Sequence, residues 1–190
     1  MNPNDIILKY YKPGTLAYDL LMVHSTAVMN LALKIAGNNP QLNINTALVA
    51  RAAMLHDIGI FKTNAPDLGC FGQFPYVCHG YLGREILEME GLPELALFCE
   101  RHTGTGLSKE EIIAHNLPVP IRDMLPVTTE EKLICYADKF FSKSAKHPER
   151  PKKMEKIIRG LSRFGDKKVA DFEAFIKMFG VSGIYEDEVD

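Results

Sequence analysis

Apolar residues recur at the helical period along nearly the whole chain, and at chosen points the apolar stripe is interrupted by His or Asp. From Thr15 to Ala36, Leu20, His24, Ala27, Val28, Leu31 and Ile35 fall at i, i+4, i+7, i+8, i+11 and i+15, one face of a long helix. Gly37 and Pro40 mark its end. A second helix is predicted from Thr46 to His56 with Asn45 as N-cap, closed by Gly59. A third covers His79–Glu90 and stops at Gly91, and Pro93 opens a fourth that runs to His102. Ser108 with Glu111 reads as a capping box for a short helix to His115. Thr128 or Thr129 caps a long helix through Lys143, and two more follow near 151–162 and 166–179. Residues 62–78, rich in Gly, Pro and aromatics, read as a loop beside the mouth of a site, and 116–127, with three prolines, as a connector. The expectation is an all-α bundle.

Length and composition narrow the class. One domain is the default for 190 residues, and 46% hydrophobic with 24% charged residues excludes a disordered or collagen-like chain. The net charge of −2 conceals an asymmetry. Residues 143–168 hold ten Lys/Arg against three Asp/Glu, a net +7, so the remainder carries −9. This stretch is either a solvated helical face or a collar that attracts an anionic substrate or nucleic acid. The acidic residues at the end, Glu186 to Asp190, are expected to fray or to pair with it. No window reaches roughly 18 uninterrupted apolar residues and the first residues lack signal-peptide features, so no membrane contact and a cytoplasmic location are expected. Four cysteines are too few for a disulfide framework and read as reduced thiols. Cys70, Cys78 and His79 match no common zinc spacing.

The chemistry lies in the interruptions. His24 stands on the apolar face of the first long helix, and His56 and Asp57 end the apolar run AAMLHDIG. His79 opens the third helix above Leu82, Gly83 and Ile86. His102 ends the fourth behind Leu95, Phe98 and Cys99. Asp138 shares a face with Ile134, Cys135 and Phe141. Four His and two Asp therefore point inward from five helices. One such residue is ordinary, whereas six of metal-ligand type are hard to explain by packing, because a buried carboxylate is costly unless paired or metal-bound. Imidazole and carboxylate suit Fe, Mn, Co or Zn, and two ions would need a bridging anion, for which Asp57 is central.

The order His…His-Asp…His…His…Asp, with LHDIG around the pair, resembles the HD-domain superfamily of metal-dependent phosphohydrolases. LLMVHSTAVMNLALKIA, HGYLGREIL, ERHTGTGLSKEE and TTEEKLICYADKFFSKS are similar to further motifs of its small HDIG-type members, and the resemblance covers about residues 15–145. It implies a helical HD domain over 1–145; residues 146–190 have no counterpart in it and read, from their own helical pattern, as an extension packed on the same domain. It implies that His24, His56, Asp57 and Asp138 hold one divalent metal ion and that His79 and His102 hold a second, with Asp57 bridging (Fe, Mn, Co, Ni or Zn). The implied activity is hydrolysis of a phosphate ester of a nucleotide or another small phosphorylated metabolite. A mixed-valent di-iron oxygenase, which has a near-identical ligand order, and a non-catalytic nucleotide-sensing module are the rivals. The charged residue that several HD phosphatases carry three positions after the Asp is replaced by Ile60, and the HHE and GYP signatures of cyclic-dinucleotide enzymes are absent.

Around this set, Asp57 and Lys62 are the candidate catalytic residues, Lys62 as leaving-group acid. Arg101, Thr103 and Lys143 are candidate substrate contacts. For Arg101 the alternatives are a phosphate grip or a surface ion pair, and for Lys143 the site mouth or solvent. Gly80 and Gly83 suggest close helix packing. Arg84, Lys139, His115 and His147 are expected at the surface, and Asp67 in the loop. Nucleic acid is a possible but less favoured partner, and the oligomeric state is open.

Overall fold

Five helices begin where the chain supplies a side-chain oxygen for the unpaired N–H groups of a first turn. Asn2, Thr15, Asn45, Ser108 and Thr128 each accept a backbone N–H two or three residues ahead. In the computed structural model, which describes residues 2–143 and 147–185, these caps open α1 (Pro3–Tyr10), α2 (Leu16–Asn38), α3 (Thr46–Leu55), α6 (Lys109–Ala114) and α7 (Thr129–Lys139). The remaining helices are α4 (His79–Met89), α5 (Pro93–Arg101), α8 (Met154–Leu161) and α9 (Asp166–Phe179). The one paired sheet among the described residues is an antiparallel ribbon of two-residue strands, β1 (Asn64–Ala65) and β2 (Cys70–Phe71). The fold is all-α.

α2 packs along α3 and α7, and α4 packs on α5. Their inner faces form one apolar core that includes Val28, Ile35, Val49, Leu55, Ile86, Leu95, Leu133 and Ile134. By length and mean hydropathy α2 is long and apolar enough to cross a bilayer. Its apolar face is instead spent in this core, and it carries the buried polar residues His24 and Ser25. The segment after residue 146 joins the same core: Tyr136 of α7 is ringed by Phe172, Phe175 and Phe179 of α9 and donates a hydrogen bond to the carbonyl of Gly180.

The structure differs from the sequence expectations at several points. α1 was not anticipated. It packs on α3, and the buried Tyr11 just beyond it donates to the carbonyl of Ile58 at 3.0 Å and accepts the N–H of Phe61, which pins the turn after the His-Asp pair. α2 runs past Gly37 to Asn38. The Ser108 box is half-formed, because the Glu111 carboxylate turns to Lys168 of α9 instead. α7 stops at Lys139 rather than Lys143: the chain leaves the helix at Phe140, whose carbonyl accepts the N–H of Lys152 at 2.6 Å. Residues 62–78 are a loop as expected, but one built from short 3-10 turns around the β1–β2 ribbon. Residues 186–190, expected to fray or pair, lie outside the described residues.

Candidate metal centre

Local backbone geometry aims the ligands. α3 ends at Leu55, His56 keeps helical dihedrals, and Asp57 departs from them (φ −106°, ψ 9°) into the 3-10 turn Ile58–Lys62. Adjacent residues thereby send their side chains into one space. Gly59 sits in that turn against α4, where a Cβ would lie 2.3 Å from the carbonyl oxygen of His79 and 2.5 Å from the N of Gly83. Only glycine permits this approach, which sets the His-Asp pair beside His79. Gly80 and Gly83 in turn bring α4 against the Cys99 end of α5, the close packing read from the sequence.

Two buried groups of ligand atoms result. In the first, the Nε2 of His24 lies 3.2 Å from Asp57 Oδ2, 3.0 Å from Asp138 Oδ1 and 3.3 Å from His56 Nε2, and His56 Nε2 lies 3.1 Å from Asp57 Oδ2. In the second, His79 Nε2 and His102 Nε2 lie 3.0 Å apart and 3.4 and 3.3 Å from Asp57 Oδ1. Asp57 thus offers one oxygen to each group. Donors about 2.1 Å from a common ion, at angles between 90° and tetrahedral, stand about 3.0–3.4 Å apart, and the distances given for both groups match this; His56 Nε2 and Asp138 Oδ1, at 3.6 Å, stand slightly wider.

The outward ring nitrogens fix which lone pairs face inward. His56, His79 and His102 donate Nδ1–H to the carbonyls of Ala53, Tyr76 and Cys99, each at 2.7 Å. Their Nε2 atoms therefore face the cluster, as in ligating histidines. Two imidazole lone pairs 3.0 Å apart need a cation or proton between them. Neither oxygen of the fully buried Asp57 accepts a well-formed hydrogen bond. The donor set fits a divalent metal.

Electrostatics agree. Burial alone would raise the Asp57 carboxyl, but the charges on His56 and Lys143, with the His102 and His24 rings beside it, hold it well below the usual range. Asp138 is depressed against burial in the same way by Lys139 and Lys143. Burial pushes His79 down to about 3, helped by His102, and also lowers His102. His56, despite burial, is drawn up to about 9 by Asp57 and Asp138.

A cleft of about 560 Å³ opens over His79, His102 and Asp138. Lys143, which solvent exposure or the site mouth would both have explained, reaches inward because α7 ends early: its Nζ lies 2.6 Å from Asp57 Oδ2. Lys139, expected at the surface, pairs with Asp138 Oδ2 at 2.8 Å and also lines the cleft. Thr103 and Asp67 line it too. Lys62 is not among the lining residues. Arg101 is committed to Glu131, donating to both its oxygens at 2.9 and 3.0 Å, which anchors α5 on α7. Arg84 is not a plain surface residue: it donates to Glu88 and, at 2.6 Å, to the buried Glu100, which also receives Arg122. His115 is exposed, and His147, also exposed, pairs with Glu149. The four cysteines are free, and Cys70 and Cys78 donate to the carbonyls of Leu68 and Pro118 rather than joining a zinc cluster.

Three participants were missed. Glu100 looks like any helix-surface acid in sequence. Tyr76, whose ring stacks on His79 with centroids 4.7 Å apart, was hidden in the loop. Lys152 lines the cleft from the basic segment and is pushed down to about 8 by burial, with Asp138 opposing and the charges of Lys139, Lys143 and Lys156 adding to it. Its only sequence signal was the local excess of positive charge.

Comparison with known proteins follows this geometry. The family model for the HD domain matches residues 21–142, a stretch containing all six ligand residues. An uncharacterized protein of Methanocaldococcus jannaschii is 37% identical over 140 residues, 71% of this chain and 75% of its own length. Two proteins named tRNA (cytidine(56)-2'-O)-methyltransferase are also similar. That of Picrophilus torridus is 36% identical over 127 residues, 66% of this chain, and that of Thermoplasma volcanium 28% identical over 178 residues, 93% of this chain. The chain spans 33% and 46% of the length of these two relatives. No solved structure matches with significance. With the ligand order, the helical architecture and the family match in agreement, the chain belongs to the HD-domain family.

Proposed function

We propose that this chain is a metal-dependent phosphohydrolase that cleaves a phosphate ester of a nucleotide or another small phosphorylated metabolite. The observation that carries the reading is Asp57, fully buried, with one oxygen turned to each of two histidine-containing ligand groups beneath a lysine-lined cleft. His24, His56, Asp57 and Asp138 would hold one ion and Asp57, His79 and His102 the other. Such a pair supplies Lewis acidity toward a phosphoryl oxygen and lowers the pKa of water. Asp57 orients the two groups relative to each other, and the carbonyls of Ala53, Tyr76 and Cys99 hold three ligand rings in register. Lys139, Lys143 and Lys152 give the cleft the positive potential that gathers an anionic substrate. Burial of the ligands keeps bulk water from competing with them.

Methyl transfer is not carried over to this chain. The methyltransferase relatives are two to three times its matched length, and the chemistry this chain buries is a His/Asp cluster. Their names do make RNA a phosphoester worth including in the test. Protein reconstituted separately with Mn, Fe, Co, Ni or Zn is offered phosphorylated metabolites and a terminally phosphorylated RNA, with phosphate release and oxygen uptake followed together. Phosphate release is expected. Oxygen uptake without phosphate release from any ester would overturn the reading in favour of the di-iron oxygenase, and ligand binding with neither would favour a sensing module.

A further inference from the structure

A second cavity, of about 650 Å³, adjoins the metal cleft, and Tyr76, His79, Thr103 and Gly104 line both. Its chemistry is the opposite of the cleft's. Val77, Leu107, Leu117, Leu161 and Phe164 give it apolar walls, and Arg163 and His115 line it beside them. Its buried Lys168 is already neutralised, donating to Glu111 at 2.6 Å and to the carbonyl of Gly106. One wall comes from outside the stretch that matches the family model: Leu161 ends α8, and Phe164 and Gly165 lie in the turn to α9. At Gly165 the backbone takes φ +104°, which few other residues adopt, and Phe164 beside it is 70% exposed. A large ring held open to solvent beside an apolar cavity is a surface waiting for a ligand.

We propose that the α8–α9 turn builds a specificity pocket, and that this pocket takes the aromatic ring of a phosphate ester whose phosphate lies in the lysine-lined cleft. The proposal rests on the phosphohydrolase reading and deepens it by substrate class. A sugar phosphate would set hydroxyls against the apolar walls of Val77, Leu107 and Leu117, at a desolvation cost for each hydroxyl that Thr103, His115 or Arg163 does not meet. A flat ring gains the apolar surface, and the exposed face of Phe164 suits stacking better than it suits a flexible chain.

The test uses non-hydrolysable phosphonates and reads binding without turnover. Calorimetry on the metal-loaded full chain compares methylphosphonate, octylphosphonate and 1-naphthylmethylphosphonate. The naphthyl compound is expected to bind at least about tenfold more tightly than the methyl compound, the scale of burying one ring face. Phe164→Ser, at an exposed position, and Leu117→Trp, which fills the cavity, should each reduce that ratio to below about threefold and leave methylphosphonate affinity unchanged. Equal affinities for the methyl and naphthyl compounds, or a naphthyl advantage that survives both substitutions, would overturn the proposal. Octylphosphonate binding best would overturn the assignment of a ring. Phosphate release from 1-naphthylmethyl phosphate, measured alongside, separates the two claims: ring preference without turnover overturns hydrolysis and keeps the pocket, and turnover without ring preference does the reverse.

Discussion

The two halves of the metal centre are built from the same residue types and differ in charge. The half made by His24, His56 and Asp138 has four donors counting Asp57, two of them carboxylates, and it is met by Lys143 and Lys139. The half made by His79 and His102 has two imidazoles held neutral by burial and only the shared Asp57 oxygen for negative charge. Donor number and charge both favour a cation in the first half. The second half borrows its only carboxylate, so its ion should bind more weakly and leave first on chelation. On the two-ion reading, one ion would be anchored and one exchangeable, with Asp57 coupling them.

Substitutions can break that asymmetry in order of effect. Asp138→Ala removes a charged donor from the anchored half and should abolish phosphate release and strip its ion, as read by metal analysis after dialysis. Replacing His79 and His102 together with Ala should leave the anchored ion in place and reduce the bound metal from two ions per chain to one. If the anchored ion is lost instead, the ranking of the halves is reversed. Lys143→Ala removes the ammonium that faces Asp57 without removing a ligand. It should lower kcat/KM for phosphate esters roughly 10- to 100-fold, the scale of one lost contact with a charged group, with metal content unchanged. The smallest effect is expected at Lys152. With its pKa pushed down to about 8, it is charged below that pH and neutral above. Substrate affinity should therefore weaken as pH rises through about 8, and Lys152→Arg, which stays charged, should remove that dependence. Identical pH profiles for the two proteins would exclude Lys152 from the binding surface.

The same contrast explains what was readable in the sequence. Each ligand residue interrupts an apolar helical stripe or ends one, so burial and residue type could be read together for His24, His56, Asp57, His79, His102 and Asp138. Residues that act through tertiary pairing left no such trace. Glu100 is buried only because Arg84 and Arg122 converge on it from α4 and from the connector between α6 and α7. Arg101, for which the sequence left a phosphate grip and a surface ion pair equally open, pairs with the buried Glu131. Lys143 depended on where α7 ends, and no Gly or Pro marks that point. The helix yields there because Phe140 turns its carbonyl to the N–H of Lys152, a contact made across a sequence gap that local propensity does not register. α1 is a short helix whose stability comes from packing on α3, which pattern alone does not reveal.

The shared carboxylate is the central claim, and counting metal tests it most directly. Wild-type protein titrated with a divalent transition metal should take up two ions per chain in two affinity steps, and Asp57→Ala, folded as judged by its helical circular dichroism, should bind neither with comparable affinity. A folded Asp57→Ala protein that still holds two ions would contradict the account.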